Sequence, residues 1–159
     1  SLQNYGQHYK LVKDCFADMC RCIAPNMSTE EMAVLAKGAI VGQSGVRTTV
    51  LQSISADVDM SDLGYSDEIW ISCHDDEEEN QELGKEIWEE SSFEVGDQIP
   101  LRMLPYLQSK DAQLRRAAAR SLADATQAHK SSLAEVIPQL KATGPVRPLG
   151  GETGHCHRF

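Results

Sequence analysis

Aromatic residues are scarce, 6% of 159, so Leu, Ala and Met must supply most of any core. No apolar run reaches the roughly 18 residues that a membrane span needs, and no charged-then-apolar leader opens the chain. A membrane partner is therefore not expected. Cysteines number five, an odd count without a repeating spacing, which argues against a secreted disulfide framework and for a reducing, cytoplasmic setting. No Gly-rich phosphate loop, nucleophile elbow or metalloprotease motif is present. No long stretch alternates with period two, so no sheet is expected. The chain opens on Ser1 rather than methionine, which suggests a slice of a longer protein.

What is present is 41% apolar residues, enough to fold, and a charge distribution that the net value of −9 conceals. Residues 57–97 hold sixteen acids against Lys85, a local net of −15, while the rest of the chain nets +6. A basic surface can therefore lie beside an acidic one. The acidic segment should repel nucleic acid, and no DNA partner is expected; the basic part has the charge to meet a phosphate backbone.

The punctuation reads as helix after helix. A first helix spans about Gln7–Ile23 and stops at Pro25-Asn26. Ser28, with Glu31 three residues on, forms a capping box for a helix carrying Met32, Leu35, Ala36 and Ala39, loosening near Gly42. Further helices are predicted from Ser44 through Ile54, over Ser66–His74, Glu77–Ser91, Ile99–Leu107, Asp111–Ala128 and Ser132–Leu140, with a loop at Asp59–Gly64.

Internal repetition orders these helices. Val46-Arg47 through Ile54 superimposes on Leu114-Arg115 through Leu122, and the shift from 46 to 114 is two periods of 34. The middle copy falls on Glu77–Glu90, where Leu83, Ile87 and Trp88 keep the apolar rhythm but the arginine is missing. Leu104-Pro105-Tyr106-Leu107 recurs 33 residues on as Ile137-Pro138-Gln139-Leu140. Two prolines in one phase predict a kink in each first helix, because proline removes a helical hydrogen bond and clashes with the preceding turn. This pattern resembles a HEAT-repeat array, and the expected fold is all-α: a HEAT-repeat-like, right-handed α-solenoid of antiparallel helix pairs over residues 1–143. The resemblance implies hydrogen bonding between a joint Asp and a second-helix Arg along the stack. Asp111 and Arg115 match those places, and Arg47 matches the second without an obvious Asp partner. The Gly/Pro-rich residues 144–159 are expected to be a tail without fixed structure.

Chemistry-bearing clusters are few. Cys15, Cys20 and Cys22 are better explained as small buried thiols than as part of a zinc site, which needs four ligands. His155-Cys156-His157 lies in the tail. Cys73-His74-Asp75-Asp76 is not a dyad, since helix neighbours diverge by about 100° each. It reads as a helix end, with Cys73 inward and the acids opening the next helix. No cofactor or metal is expected. Arg115, Arg116 and Arg120, with Lys110 nearby, form the candidate interaction surface, because Arg116 and Arg120 share a helix face at i and i+4. Trp70 and Trp88 should pack in the interface of their helix pair.

The run Glu68-Ile69-Trp70-Ile71-Ser72-Cys73-His74-Asp75, followed by Glu77 to Glu90 with Leu83 and Trp88, resembles the family of general control non-derepressible translational activators. These are very large HEAT-repeat co-activators, and an Arg-Ala-Ala helix like Leu114–Ala125 follows the acidic pair there too. The resemblance covers about residues 46–140 and does not extend into the tail. It implies a non-enzymatic scaffold that binds ribosomes and promotes activation of the amino-acid-starvation kinase, working with an ATP-binding-cassette partner. Those protein partners would be engaged by other parts of the full-length protein. The alternative is a HEAT scaffold of another pathway, of transport-receptor or phosphatase-subunit type.

Overall fold

The computed structural model describes residues 2–142, with side chains from residue 6 onward. The tail 144–159 and its His155-Cys156-His157 cluster lie outside the described residues. Eight α-helices follow in order: α1 (Leu2–Ile23), α2 (Thr29–Gly38), α3 (Ser44–Asp57), α4 (Ser66–Ser72), α5 (Glu78–Glu90), α6 (Ile99–Met103), α7 (Ala112–Ala128) and α8 (Leu133–Ala142). Short 3-10 turns occupy Ala24–Asn26, Leu104–Gln108 and Lys130–Ser132, and there is no strand among the described residues.

Local chemistry sets the boundaries. The capping box at α2 forms as its residues require: Ser28 Oγ accepts from the Glu31 amide at 3.2 Å, and the Ser28 amide donates to Glu31 Oε2 at 2.8 Å. Asp111 caps α7 by accepting from the Gln113 amide at 2.8 Å. At the end of α5, Ser92 takes a left-handed φ of 53°. The Ser92 amide then donates to the Glu89 carbonyl and the Phe93 amide to the Trp88 carbonyl, which is a Schellman closure. The prolines behave differently from one another. Pro105 has no N–H to donate to the Leu101 carbonyl, and the chain passes from α to 3-10 geometry at Leu104. Pro138 stays inside α8, which continues to Ala142.

The helices pair as α2/α3, α4/α5 and α6/α7, and α8 packs on α6 as the first helix of another pair. First helices form one row, α2 on α4 on α6 on α8, and α1, α3 and α5 form the second. Two cores result, one around Leu35, Leu51, Ile54 and Ile69, the other around Ile71, Ile99, Met103, Leu104 and Leu122. α4 is their common wall, sending Ile69 one way and Ile71 the other. It is only seven residues long, so its neighbours meet across it. Lys37 of α2 donates to Tyr106 Oη, beyond α6, at 3.0 Å and pairs with Glu68 of α4 at 2.8 Å. Burial alone would lower the Lys37 ammonium pKa, but the hydrogen bonds to Glu68 and Tyr106 outweigh it and drive it upward. At the α4–α5 crossing Gly84 is buried, and a Cβ there would lie 2.8 Å from backbone atoms of Ser72 and Cys73.

The repeat period has a physical counterpart. Arg47 Nη1 donates to the Val41 carbonyl at 3.0 Å, Gln81 Nε2 to the Asp75 carbonyl at 2.6 Å, and Arg115 Nη1 to the Ser109 carbonyl at 2.7 Å. Each hook reaches six residues back, and the donors 47, 81 and 115 are evenly spaced by one period. Gln81 thus stands in the middle copy where the other two have arginine.

Candidate interaction surface

Among the described residues, four ion pairs have one partner in the joint between α4 and α5, at His74, Asp75 or Asp76. Arg47 and Asp75 form a buried pair, each side chain 2% exposed. Nε and Nη2 of Arg47 donate to the two carboxylate oxygens at 2.7 and 3.0 Å, and Nη1 donates to the carbonyls of Val41 and Gly42. Asp75 also accepts from the Glu77 amide at 2.9 Å. Arg47 thus has the Asp partner that its own joint does not provide, drawn from the next joint along the stack. Arg115 differs from expectation. It binds the Ser109 carbonyl, while the Asp111 side chain caps its own helix. The position that stands to Arg115 as Asp75 stands to Arg47 is Thr143, outside the described residues.

The run 73–76 points in four directions rather than converging. Cys73 is buried, and burial pushes its thiol up to about 12, so it holds its proton at neutral pH. His74 Nδ1 meets the Trp70 carbonyl at 2.8 Å, and its Nε2 meets Asp124 at 2.6 Å. Asp75 turns inward to Arg47, and Asp76 faces α7.

Arg116 and Arg120 do share a face, as their spacing requires, and Asp124 continues it. That face lies along the α4–α5 joint. Arg116 donates to Asp76 from Nε at 3.1 Å and Nη2 at 2.6 Å. Arg120 donates to the His74 carbonyl at 3.0 and 2.7 Å and to Asp76 at 2.6 Å. The hydrogen bond from Arg116, helped by Arg120, holds the Asp76 carboxyl below the usual carboxylate range. Both arginines stay substantially exposed, at 51% and 44%. Lys110 is exposed at the nearby joint. Sequence reasoning missed Asp76, His74 and Asp124 as partners of this stripe because every one of these bridges joins two different repeats.

Two further expectations change. Of the α1 thiols only Cys20 is buried; Cys15 and Cys22 are exposed, because the core side of α1 passes through Phe16 and Cys20. Among the described residues no three His, Cys, Asp or Glu side chains are grouped to hold a metal. Trp70 and Trp88 do meet, with ring centroids 5.0 Å apart. They are half-buried, however, and extend past their own pair: Trp70 Nε1 donates to the Ser121 carbonyl of α7 at 3.0 Å.

Stacked helix pairs, hooked once per repeat at the start of the second helix and locked joint to joint by an Arg–Asp pair, define a HEAT-type α-solenoid. The chain belongs to a particular family of these, the HEAT repeats of the stalled ribosome sensor GCN1, whose family model matches residues 27–143. It is similar to the eIF-2-alpha kinase activator GCN1 of Saccharomyces cerevisiae, with 27% identity over 124 residues. That match covers 77% of this chain and about 5% of the yeast protein's length. No solved structure matches the chain.

Proposed function

We propose that this chain is a non-enzymatic scaffold segment of a cytoplasmic, ribosome-associated translational activator that promotes activation of the amino-acid-starvation kinase. The observation that carries this reading is the GCN1 HEAT match running through the described helix pairs. A second observation supports it. The groups that sequence offered for chemistry are engaged in holding repeats together: Asp75 by Arg47, Asp76 by two arginines, His74 by Asp124. The kinase and an ATP-binding-cassette partner would be engaged by other parts of the longer protein.

Ribosome contact is assigned to the basic edge formed by Lys110, Arg116 and Arg120, with Arg115 behind it. Each clamped guanidinium has five N–H donors, and the bonds to Asp76 and His74 use only Nε and Nη2. Both Nη1 groups therefore have capacity for a phosphate oxygen.

The test is co-sedimentation of the chain with ribosomes across a salt series. Lys110→Glu should weaken binding and lower the salt slope by about one unit per lost phosphate contact. Asp76→Asn should strengthen it, because two arginines lose their intramolecular carboxylate. If binding is indifferent to both changes, this edge is not the contact.

A further inference from the structure

α3 ends without a closing turn. It has no base in its last turn, and after Asp57 the chain leaves in extended conformation at Val58. The Val58 amide returns to the Ile54 carbonyl, while the carbonyls of Ser55, Ala56 and Asp57 accept no hydrogen bond among the described residues. α5 ends beside it; its Schellman turn closes it, but it too lacks a base in its last turn and finishes on Glu89-Glu90. Such ends carry the negative pole of a helix, where a cation is favoured and a carboxylate is not.

Between the two ends lies a cleft of about 350 Å³. Its floor is apolar, since Ile54, Met60 and Ile87 are all buried. Half-buried Asp57 and exposed Asp59 and Glu90 make its rim, and no lysine, arginine or histidine lines it. Asp59 is occupied by Ser61, but the carboxylates of Asp57 and Glu90 accept no hydrogen bond and form no ion pair among the described residues. Ser91 lines the cleft at 7% exposure, and its hydroxyl has no partner among the described residues. A hydroxyl so placed can accept from a donor that enters the cleft.

The approach carries the same sign. Glu79 and Glu86 of α5 face α3, each accepting one bond at 3.2 Å, from Gln52 and Ser55. Arg47, the base of α3, is buried with Asp75, and Lys85, the base of α5, lines the separate cleft between α5 and α7. A lysine side chain fits this site by both of its parts. Its stem covers the apolar floor, and its head stands at the acidic rim. The three divergent donors of an ammonium suit acceptors arrayed on several sides. Glu86 and Glu90 are about 6 Å apart along the helix, close to the roughly 7 Å between alternate residues of an extended peptide. The same field repels a phosphate backbone.

We propose that the cleft at the ends of α3 and α5 is a docking site for an extended, lysine-bearing segment of a protein partner. One lysine seats over Ile54, Met60 and Ile87 with its ammonium among Asp57, Glu90 and the Ser91 hydroxyl, and a lysine two residues away meets Glu86. None of Lys110, Arg115, Arg116 and Arg120 lines this cleft, so it is separate from the edge assigned to the ribosome.

The test titrates the whole 159-residue chain into fluorescently labelled (Lys-Gly)4, read by anisotropy. Two other probes serve as comparisons. In (Dab-Gly)4, diaminobutyrate keeps the ammonium but shortens the stem by two methylenes; the second is an eight-nucleotide oligouridylate. Saturable binding of the lysine peptide is expected, at least threefold tighter than the diaminobutyrate peptide. Two matched charge reversals at exposed positions separate the cleft from general attraction. Glu90→Lys, at the rim, should weaken binding tenfold or more. Glu78→Lys, about 18 Å away at the other end of the same helix, should weaken it threefold or less. Glu90→Lys places a base where the helix dipole favours one, so it should stay folded, which circular dichroism checks. Asp57→Asn and Ser91→Ala should each lose threefold or more. Equal losses from Glu90→Lys and Glu78→Lys would overturn the proposal, as would binding unchanged by both Asp57→Asn and Ser91→Ala. Equal affinity for the diaminobutyrate peptide, tighter binding of oligouridylate or no saturable binding of (Lys-Gly)4 would do the same.

Discussion

Removing one member of the Arg47–Asp75 pair tests how the joints are held. Asp75→Asn keeps the side-chain shape and deletes the charge. Arg47 would then remain buried, with two carbonyl contacts and one amide oxygen in place of two carboxylate oxygens at 2.7 and 3.0 Å. Breaking a buried pair in this way costs about 3–5 kcal/mol, because the surviving charge stays out of water without compensation. Against a total stability of about 5–15 kcal/mol that is a large share. At about 2–4 °C per kcal/mol for a chain of this size, the melting temperature should fall by on the order of 10 °C. Arg47→Met should cost a comparable amount, since it strands the Asp75 carboxylate. Combining Arg47→Met with Asp75→Asn should cost well under the sum, since neither charge is then left alone. Urea unfolding followed by circular dichroism gives all four corners of the cycle. If Asp75→Asn lowers stability by less than about 1 kcal/mol, or the cycle is additive, the joint is held by something other than this pair.

Ser92→Gly should stabilise the chain by about 1 kcal/mol in urea melts, because glycine adopts the left-handed φ of 53° without a Cβ penalty. Gly84→Ala should destabilise by about 1–3 kcal/mol or more, since its Cβ meets backbone of α4 at 2.8 Å rather than a side chain that could move. Asp76 has a folded-state pKa below its unfolded one. Its contribution to stability is therefore present above the usual carboxylate range and lost as pH falls through the lower folded value. Thermal melts below about pH 4 should show that loss, and Asp76→Asn should remove it from the difference curve. Iodoacetamide at neutral pH, followed by peptide mapping, should label Cys15 and Cys22 well before Cys73. The first two are exposed, while burial pushes the Cys73 thiol up to about 12; early labelling of Cys73 would refute that burial.

Sequence by itself determined whatever depends on neighbours within one turn or one repeat. The Ser28–Glu31 capping box, the Asp111 cap and the common face of Arg116 and Arg120 all follow from spacings of four residues or fewer. The repeat period was legible as well, since Arg47 and Arg115 recur in the same apolar setting. What each face meets was decided only in three dimensions. Asp75 and Asp76 are adjacent acids of one type, yet the turn after α4 sends one into the core to Arg47 and the other out to α7. Arg116 and Arg120 look like an open basic strip until the joint of the preceding pair is placed beneath them. Trp88 has the phase of a residue internal to its own pair. Because α4 is short and α7 settles on it, α5 and α7 stand apart, and Trp88 packs against both cores at the edge of the cleft between them. Period and capping are short-range interactions encoded along one helix, whereas helix spacing is set by side-chain volumes contributed from separate repeats, as where Trp70 meets α7 and Ser72 meets Ala39. No local pattern carries that sum.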